Sequence, residues 1–79
     1  PTPDSVRKLR SLLRGNLRIT ISDGRIFIGT FVGTDKQLNV LLVNTDEYRL
    51  GEEYVGGRMS GRFVGQVMIP WRLVQKVEA

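Results

Sequence analysis

From Leu17 onward the apolar residues fall on every second position: Leu17, Ile19 and Ile21 alternate with Arg18, Thr20 and Ser22. A period of two puts one apolar face on an extended strand and excludes an amphipathic helix there. Asp23-Gly24 follows at once, the pair that supplies the positive backbone angles of a two-residue hairpin turn, and a β-favouring run resumes at Arg25. A turn of that length sets Ile21 opposite Ile26 and Ile19 opposite Ile28. Gly29 and Gly33 interrupt the second run, and glycine inside a strand marks a sharp bend or the close approach of another backbone. The chain is therefore constrained to open its sheet with a tight hairpin whose second strand is bent.

Before the hairpin, Thr2-Pro3-Asp4 reads as a helix start, with Thr2 as cap, proline at the first helical position and Asp4 near the positive end of the dipole. Val6, Leu9, Leu12 and Leu13 share one helix face, Arg7, Arg10 and Arg14 another, and Gly15 is the expected stop. After the hairpin, Leu38 to Val43 is apolar on both faces and belongs in the middle of a sheet. Residues 47–61 dissolve into glycines and the acids Glu47, Glu52 and Glu53, which reads as a loop. Phe63–Ile69 and Leu73–Val77 read as two further strands, separated by a corner at Pro70-Trp71 because proline cannot donate to a ladder. The predicted order is a helix over 3–14 and strands over 16–22, 25–34, 37–46, 62–69 and 72–77, in one domain spanning 3–78. The fold class is mainly β: a helix followed by a strongly bent, five-stranded small barrel. Such a barrel is only partly closed, and an open strand edge is a docking strip for another chain.

Composition narrows the chemistry. With 79 residues there is room for one core, and a core this small rarely supplies more than about 3 to 5 kcal/mol without disulfides, metal or association. The chain has no cysteine and no histidine, so disulfides, thiolate or imidazole metal sites, histidine bases and cysteine nucleophiles are excluded, and association remains. No metal or cofactor is expected. The longest aliphatic run, Val40-Leu41-Leu42-Val43, is far below the roughly 18 residues of a membrane span. Pro1 opens no charged-then-apolar leader, so a cytoplasmic location is the expectation. The net charge of +4 permits an anionic partner, and Arg7, Arg10 and Arg14 are the candidate face for one.

No segment carries an enzyme's kit. Gly56-Gly57-Arg58-Met59-Ser60-Gly61 lacks the lysine and hydroxyl of a phosphate-binding loop. Arg62-Phe63-Val64-Gly65-Gln66-Val67 approaches the Arg/Gln-x-x-Gly-x-Gly/Ala segment that grips acetyl-coenzyme A pyrophosphate, but its last residue is wrong and Pro70, not a helix, follows. A core strand is the better reading. For nucleic acid, Phe27, Phe31 and Phe63 sit in apolar alternation and are assigned to the core, leaving Trp71, Tyr48 and Tyr54 as the aromatics free to stack.

Asp23-Gly24-Arg25, Phe27-x-Gly29-x-Phe31, Asp35 and Asn39-x-x-Leu42, with Gly65-x-Val67-x-Ile69 through Val77, resemble the two signature blocks of the Sm and Sm-like (LSm) proteins. The resemblance spans Val6 to Val77. It implies a bent five-stranded barrel in which the fourth strand of one subunit pairs with the fifth of the next. In RNA-binding members an Asp-x-aromatic-x-Asn segment and an Ile-Arg-Gly segment form a uridine pocket. Here Asp35 and Asn39 are kept, Gln37 replaces the stacking residue, and Ile69-Pro70-Trp71 stands where the arginine belongs. The pocket thereby loses its stacking face and its planar cation. Asp35 and Asn39 then serve the turn.

The ending Val67-Met68-Ile69-Pro70, with Gly29-Thr30-Phe31-x-x-Thr34-Asp35, is similar to the small Sm-like auxiliary subunits of N-terminal acetyltransferase C (NatC). That resemblance implies a non-catalytic scaffold subunit, partnered by the large auxiliary and catalytic subunits of NatC and through them by the ribosome, with direct RNA binding not expected. The implied interface is Val67, Met68, Ile69, Trp71, Leu73 and Val74. The competing readings are an RNA-binding LSm ring subunit of splicing or mRNA decay, with Asp35 and Asn39 touching bases, and an independent enzyme.

Overall fold

The computed structural model describes residues 3–49, 54–55, 58–59 and 61–79, with side chains for 7–49 and 61–79. Helix α1 (Pro3–Ser11) precedes five strands: β1 (Asn16–Ile21), β2 (Arg25–Thr34), β3 (Asn39–Arg49), β4 (Gly61–Pro70) and β5 (Val74–Glu78). A 3-10 turn, Trp71–Leu73, joins the last two, and a separate two-residue ladder pairs Tyr54–Val55 with Arg58–Met59. The five strands are antiparallel in the order β4-β3-β2-β1-β5. The sheet is thus open, with β4 and β5 on its two margins. The Thr2 cap and the loop residues Glu52, Glu53, Gly56, Gly57 and Ser60 lie outside the described residues, as do the side chains of Asp4, Val6 and Tyr54.

The bends fall where the glycines stand. The β2–β3 register shifts between Ile28 and Thr30, and again between Phe31 and Gly33. At Gly29 the cause is steric: a Cβ there would sit on the Thr45 hydroxyl and 3.0 Å from both the Thr45 Cβ and the Val43 carbonyl oxygen. β3 lies between β2 and β4, with Val40 and Leu42 fully buried and Leu41 and Val43 half-buried, as its two-faced apolar pattern requires. The core is formed by Leu9, Leu17, Ile19, Ile21, Phe27, Phe31, Val40, Leu42 and Ile69, so the helix closes over the sheet through Leu9.

Four local expectations are corrected. The first hairpin pairs Ile19 with Phe27 and Thr20 with Ile26, one residue away from the expected register. Only Gly24 takes a positive φ (93°), and its N–H donates to the Ile21 carbonyl, so the loop has three residues rather than two. The Asp23 carboxylate holds this form by accepting the Arg25 backbone N–H at 3.0 Å and its Nε at 2.7 Å. Secondly, the helix ends at Ser11 rather than at 14, and the left-handed residue is Arg14 (φ 67°), not Gly15. Its N–H donates to the Phe31 carbonyl, while the Phe31 N–H donates to Gly15, so the chain is drawn into the sheet before the helix can continue. Thirdly, β3 runs on through Glu47 to Arg49, residues expected in the loop, because Glu47 pairs with Phe27 on one side and Arg62 on the other. The last strand begins at Val74, the residues before it being taken up by the 3-10 turn.

Candidate protein interface

β4 combines an edge unpaired among the described residues with exposed apolar side chains. Val67 and Ile69 turn inward, leaving Gln66 and Met68 on the opposite face, with Met68 59% exposed. Gly65 has φ 77°, and the β3–β4 register breaks on both sides of its partner Thr45. Beyond that break Phe63 is 70% exposed. The expectation that Phe63 joins the core is therefore corrected: strand parity is lost at the bulge. Conversely, Ile69 is 3% exposed and part of the core, so it secures β4 to its own sheet and is withdrawn from the interface set. Val67, Trp71, Leu73 and Val74 are half-buried and pack against the core with one side, while Met68 and Phe63 do not. Phe63 is the residue that sequence reasoning missed, and Gly65 was the signal that could have found it. Covering Phe63 and Met68 with a partner would contribute about 3 kcal/mol, on top of the edge hydrogen bonds.

The turn between β2 and β3 brings Asp35 and Asn39 together and leaves Gln37 exposed. Asp35 Oδ1 accepts the backbone N–H of Gln37 (3.0 Å) and of Asn39 (2.9 Å), and Oδ2 accepts Asn39 Nδ2 at 2.9 Å. The same Nδ2 donates to Met68 Sδ at 3.3 Å, tying the turn to β4. Leu38, with φ 61°, is the residue that this compact turn strains. The Asn39 backbone N–H, followed by its side-chain amide, holds the Asp35 carboxyl below its ordinary value. A carboxylate so lowered stabilises the turn above the ordinary carboxylate range near about 4, and loses that contribution as pH falls through its own, lower value. In Asp35→Ala, the amides of Gln37 and Asn39 are expected to exchange faster than in the parent at pH 6, the difference shrinking as pH falls below the ordinary carboxylate range. Equal exchange at pH 6 would show that the carboxylate does not hold the turn.

The Asp35 carboxylate is thus engaged by the turn, and Asn39 Nδ2 by Asp35 and Met68. A shallow depression beside them is lined by Gln37, Asn39, Pro70, Trp71 and Arg72. Arg7, Arg10 and Arg14 are exposed, but Arg14 lies in the turn after α1, so the expected helical stripe of three is reduced to Arg7 and Arg10. Among the described residues no group of three acids could hold a metal ion. After Gly65 the chain continues as strand into Pro70 and the 3-10 turn, so the segment that approached a coenzyme-gripping motif offers no helix N-terminus to a pyrophosphate.

An open five-stranded antiparallel sheet capped by a short helix is the architecture implied by the Sm-like resemblance, and residues 7–70 match the LSM domain. The chain belongs to the LSM-domain family. It is 33% identical over 78 residues, 99% of its own length, to the NatC auxiliary subunit N-alpha-acetyltransferase 38-A of Xenopus laevis. This LSM-domain chain spans between 62% and 68% of the length of the Xenopus relatives it matches. A chain of the NatC complex, crystallised with Gag peptide and CoA, is 30% identical with a TM-score of 0.69, over 90% of this chain and 89% of that one. A Sm-like archaeal protein from Pyrobaculum aerophilum shares the fold at 23% identity, with a TM-score of 0.66 over 94% of this chain and 49% of that one.

Proposed function

We propose that this LSM-domain chain is the small, non-catalytic auxiliary subunit of the NatC N-terminal acetyltransferase, stabilising the large auxiliary and catalytic subunits for acetylation during translation. The observation that carries the reading is the likeness to a chain of the NatC complex over nine-tenths of both molecules. Relatives named as auxiliary subunits support a role without chemistry of its own. The surface we assign to the partner is the outer edge of β4 with Phe63 and Met68, continued by Val67, Trp71, Leu73 and Val74 around the corner to β5. Its support is physical: two strand margins without partners among the described residues, and two large apolar side chains left in water beside one of them. The cytoplasm is the proposed location and the ribosome an indirect partner, since acetylation during synthesis takes place there. Among the described residues no helix is long and apolar enough to cross a membrane.

Co-expression with the two NatC subunits tests this: a complex of all three, with the catalytic subunit less heat-stable when this chain is omitted, is the expected result. The chain purified alone is titrated with oligo-uridine while the fluorescence of Trp71, its single tryptophan, is followed, because Trp71 borders the depression beside Gln37 and Asn39. No change in emission up to about 100 micromolar is expected, corresponding to binding weaker than about −5.5 kcal/mol. Micromolar quenching that Asn39→Ala abolishes would instead assign the chain to an RNA-binding ring.

A further inference from the structure

A second apolar surface lies away from the β4 edge. Between α1 and the bent end of β2 runs a groove of about 240 Å³, lined by Leu9, Leu13, Phe31, Val32, Leu38 and Trp71. Its floor is part of the core, but two of its walls are not: Leu13 is 45% exposed and Val32 is 46% exposed. Gly33 in the groove wall has a φ of 132°, a conformation that disfavours other side chains, and a Cβ there would make ordinary contact with Leu13 Cδ2. The rim is basic. Arg10 lines it, Arg7 is exposed one turn earlier on α1, and Arg14 is exposed directly after Leu13. None of the three has an acidic partner among the described residues. The one carboxylate next along the chain from the groove residue Thr34, that of Asp35, is engaged by Gln37 and Asn39.

We infer that this groove receives a segment of the large auxiliary subunit carrying two or three large aliphatic side chains flanked by aspartate or glutamate. The inference rests on the functional reading above and adds a second contact to it. Charge complementarity selects the flanking acids, because Arg10 lines the apolar trough, Arg7 and Arg14 are exposed beside it along the chain, and none of the three has an acidic partner among the described residues. Aliphatic content selects protein over RNA: the walls are leucine and valine, Phe31 is fully buried, and Trp71 alone presents an aromatic face, so successive bases have no stacking platform. Trp71 also borders the depression beside Gln37 and Asn39, so a segment leaving the groove continues directly onto the corner after β4.

The test uses the three-subunit complex with a photoreactive benzophenone amino acid in place of Val32, and separately in place of Phe63, followed by mass spectrometry of the cross-linked peptides. The Val32 position is expected to link to an acidic, aliphatic segment of the large auxiliary subunit, and Arg10→Glu is expected to lower that yield at least fivefold. Cross-links from Phe63 alone would overturn the groove assignment and leave the edge reading standing. A Val32 cross-link to RNA or to a second copy of this chain, or a yield unchanged by Arg10→Glu, would also overturn it. Failure of the three subunits to co-purify removes the functional reading, and the groove's occupant with it.

Discussion

Gly29→Val is expected to leave most of the chain unfolded at 25 °C. The first atom of the new side chain would occupy the position of the Thr45 hydroxyl, and both residues are buried at the point where β2 and β3 change register. Overfilling a packed site costs about 1 to 3 kcal/mol even where neighbours can move. Here the obstacle on one side is the Val43 carbonyl, which is backbone and cannot rotate away. A core of this size holds about 3 to 5 kcal/mol in total, so the loss is comparable with the whole. Urea denaturation followed by circular dichroism reads the effect directly. Gly29→Ala, milder, is expected to cost about 2 kcal/mol, and combining it with Thr45→Gly should recover at least about 1 kcal/mol relative to the sum of the two single changes. Additive changes would mean that Gly29 is present for some reason other than the approach of Thr45. The Thr45 hydroxyl is fully buried without a hydrogen-bond partner among the described residues, which leaves it no favourable direction in which to turn.

The same stretch of β2 shows what the sequence makes legible. Alternation at Leu17, Ile19 and Ile21, the glycines of β2 and the proline after Ile69 are local signals. Each acts through the backbone of its own residue, so each locates a strand, a bend or a corner. Register is different. One positive φ at Gly24 rather than two changes the loop from two residues to three, and that choice was made by the Asp23 carboxylate binding Arg25, an interaction that composition does not announce. The helix end behaves likewise: Gly15 marks the vicinity, but the Phe31 carbonyl, sixteen positions further on, captures the Arg14 N–H and decides where the helix stops.

The candidate surface was harder to read because it depends on which face a strand shows after a bulge. Phe63, Val67 and Ile69 share parity, and an unbroken strand would bury all three. The break at Gly65 separates them, sending Ile69 into the core and Phe63 into solvent. Trp71 is intermediate in consequence. It is half-buried and packs on the core, so truncating it removes folding contacts together with any partner contact, and it makes a poor test of the interface alone. The turn at Asp35 and Asn39 was more accessible to sequence reasoning, because an aspartate that accepts backbone N–H groups two and four residues on is a local device.

Phe63→Glu is expected to weaken association with the large NatC subunits about 30-fold or more while leaving the isolated chain's thermal midpoint nearly unchanged. The side chain makes no core contact, and exposed substitutions of this kind shift stability by within about 0.5 kcal/mol. In an interface, burying the ring contributes about 2 kcal/mol, and a buried carboxylate without a partner adds a further cost, so a loss of about 2 to 3 kcal/mol in binding follows. Met68→Glu should act in the same direction, with a small loss of stability because Met68 Sδ accepts from Asn39 Nδ2. Arg62→Gln, one residue before Phe63, provides the contrast. The exposed Arg62 guanidinium meets the half-buried Glu47 opposite it at 3.2 Å, so that variant is expected to cost the fold up to about 1 kcal/mol while leaving association close to the parent's. Biolayer interferometry with the immobilised large auxiliary subunit separates the cases. Should Phe63→Glu bind as tightly as the parent, the β4 edge is not the docking strip, and the partner must approach through β5 or the groove beneath Arg10.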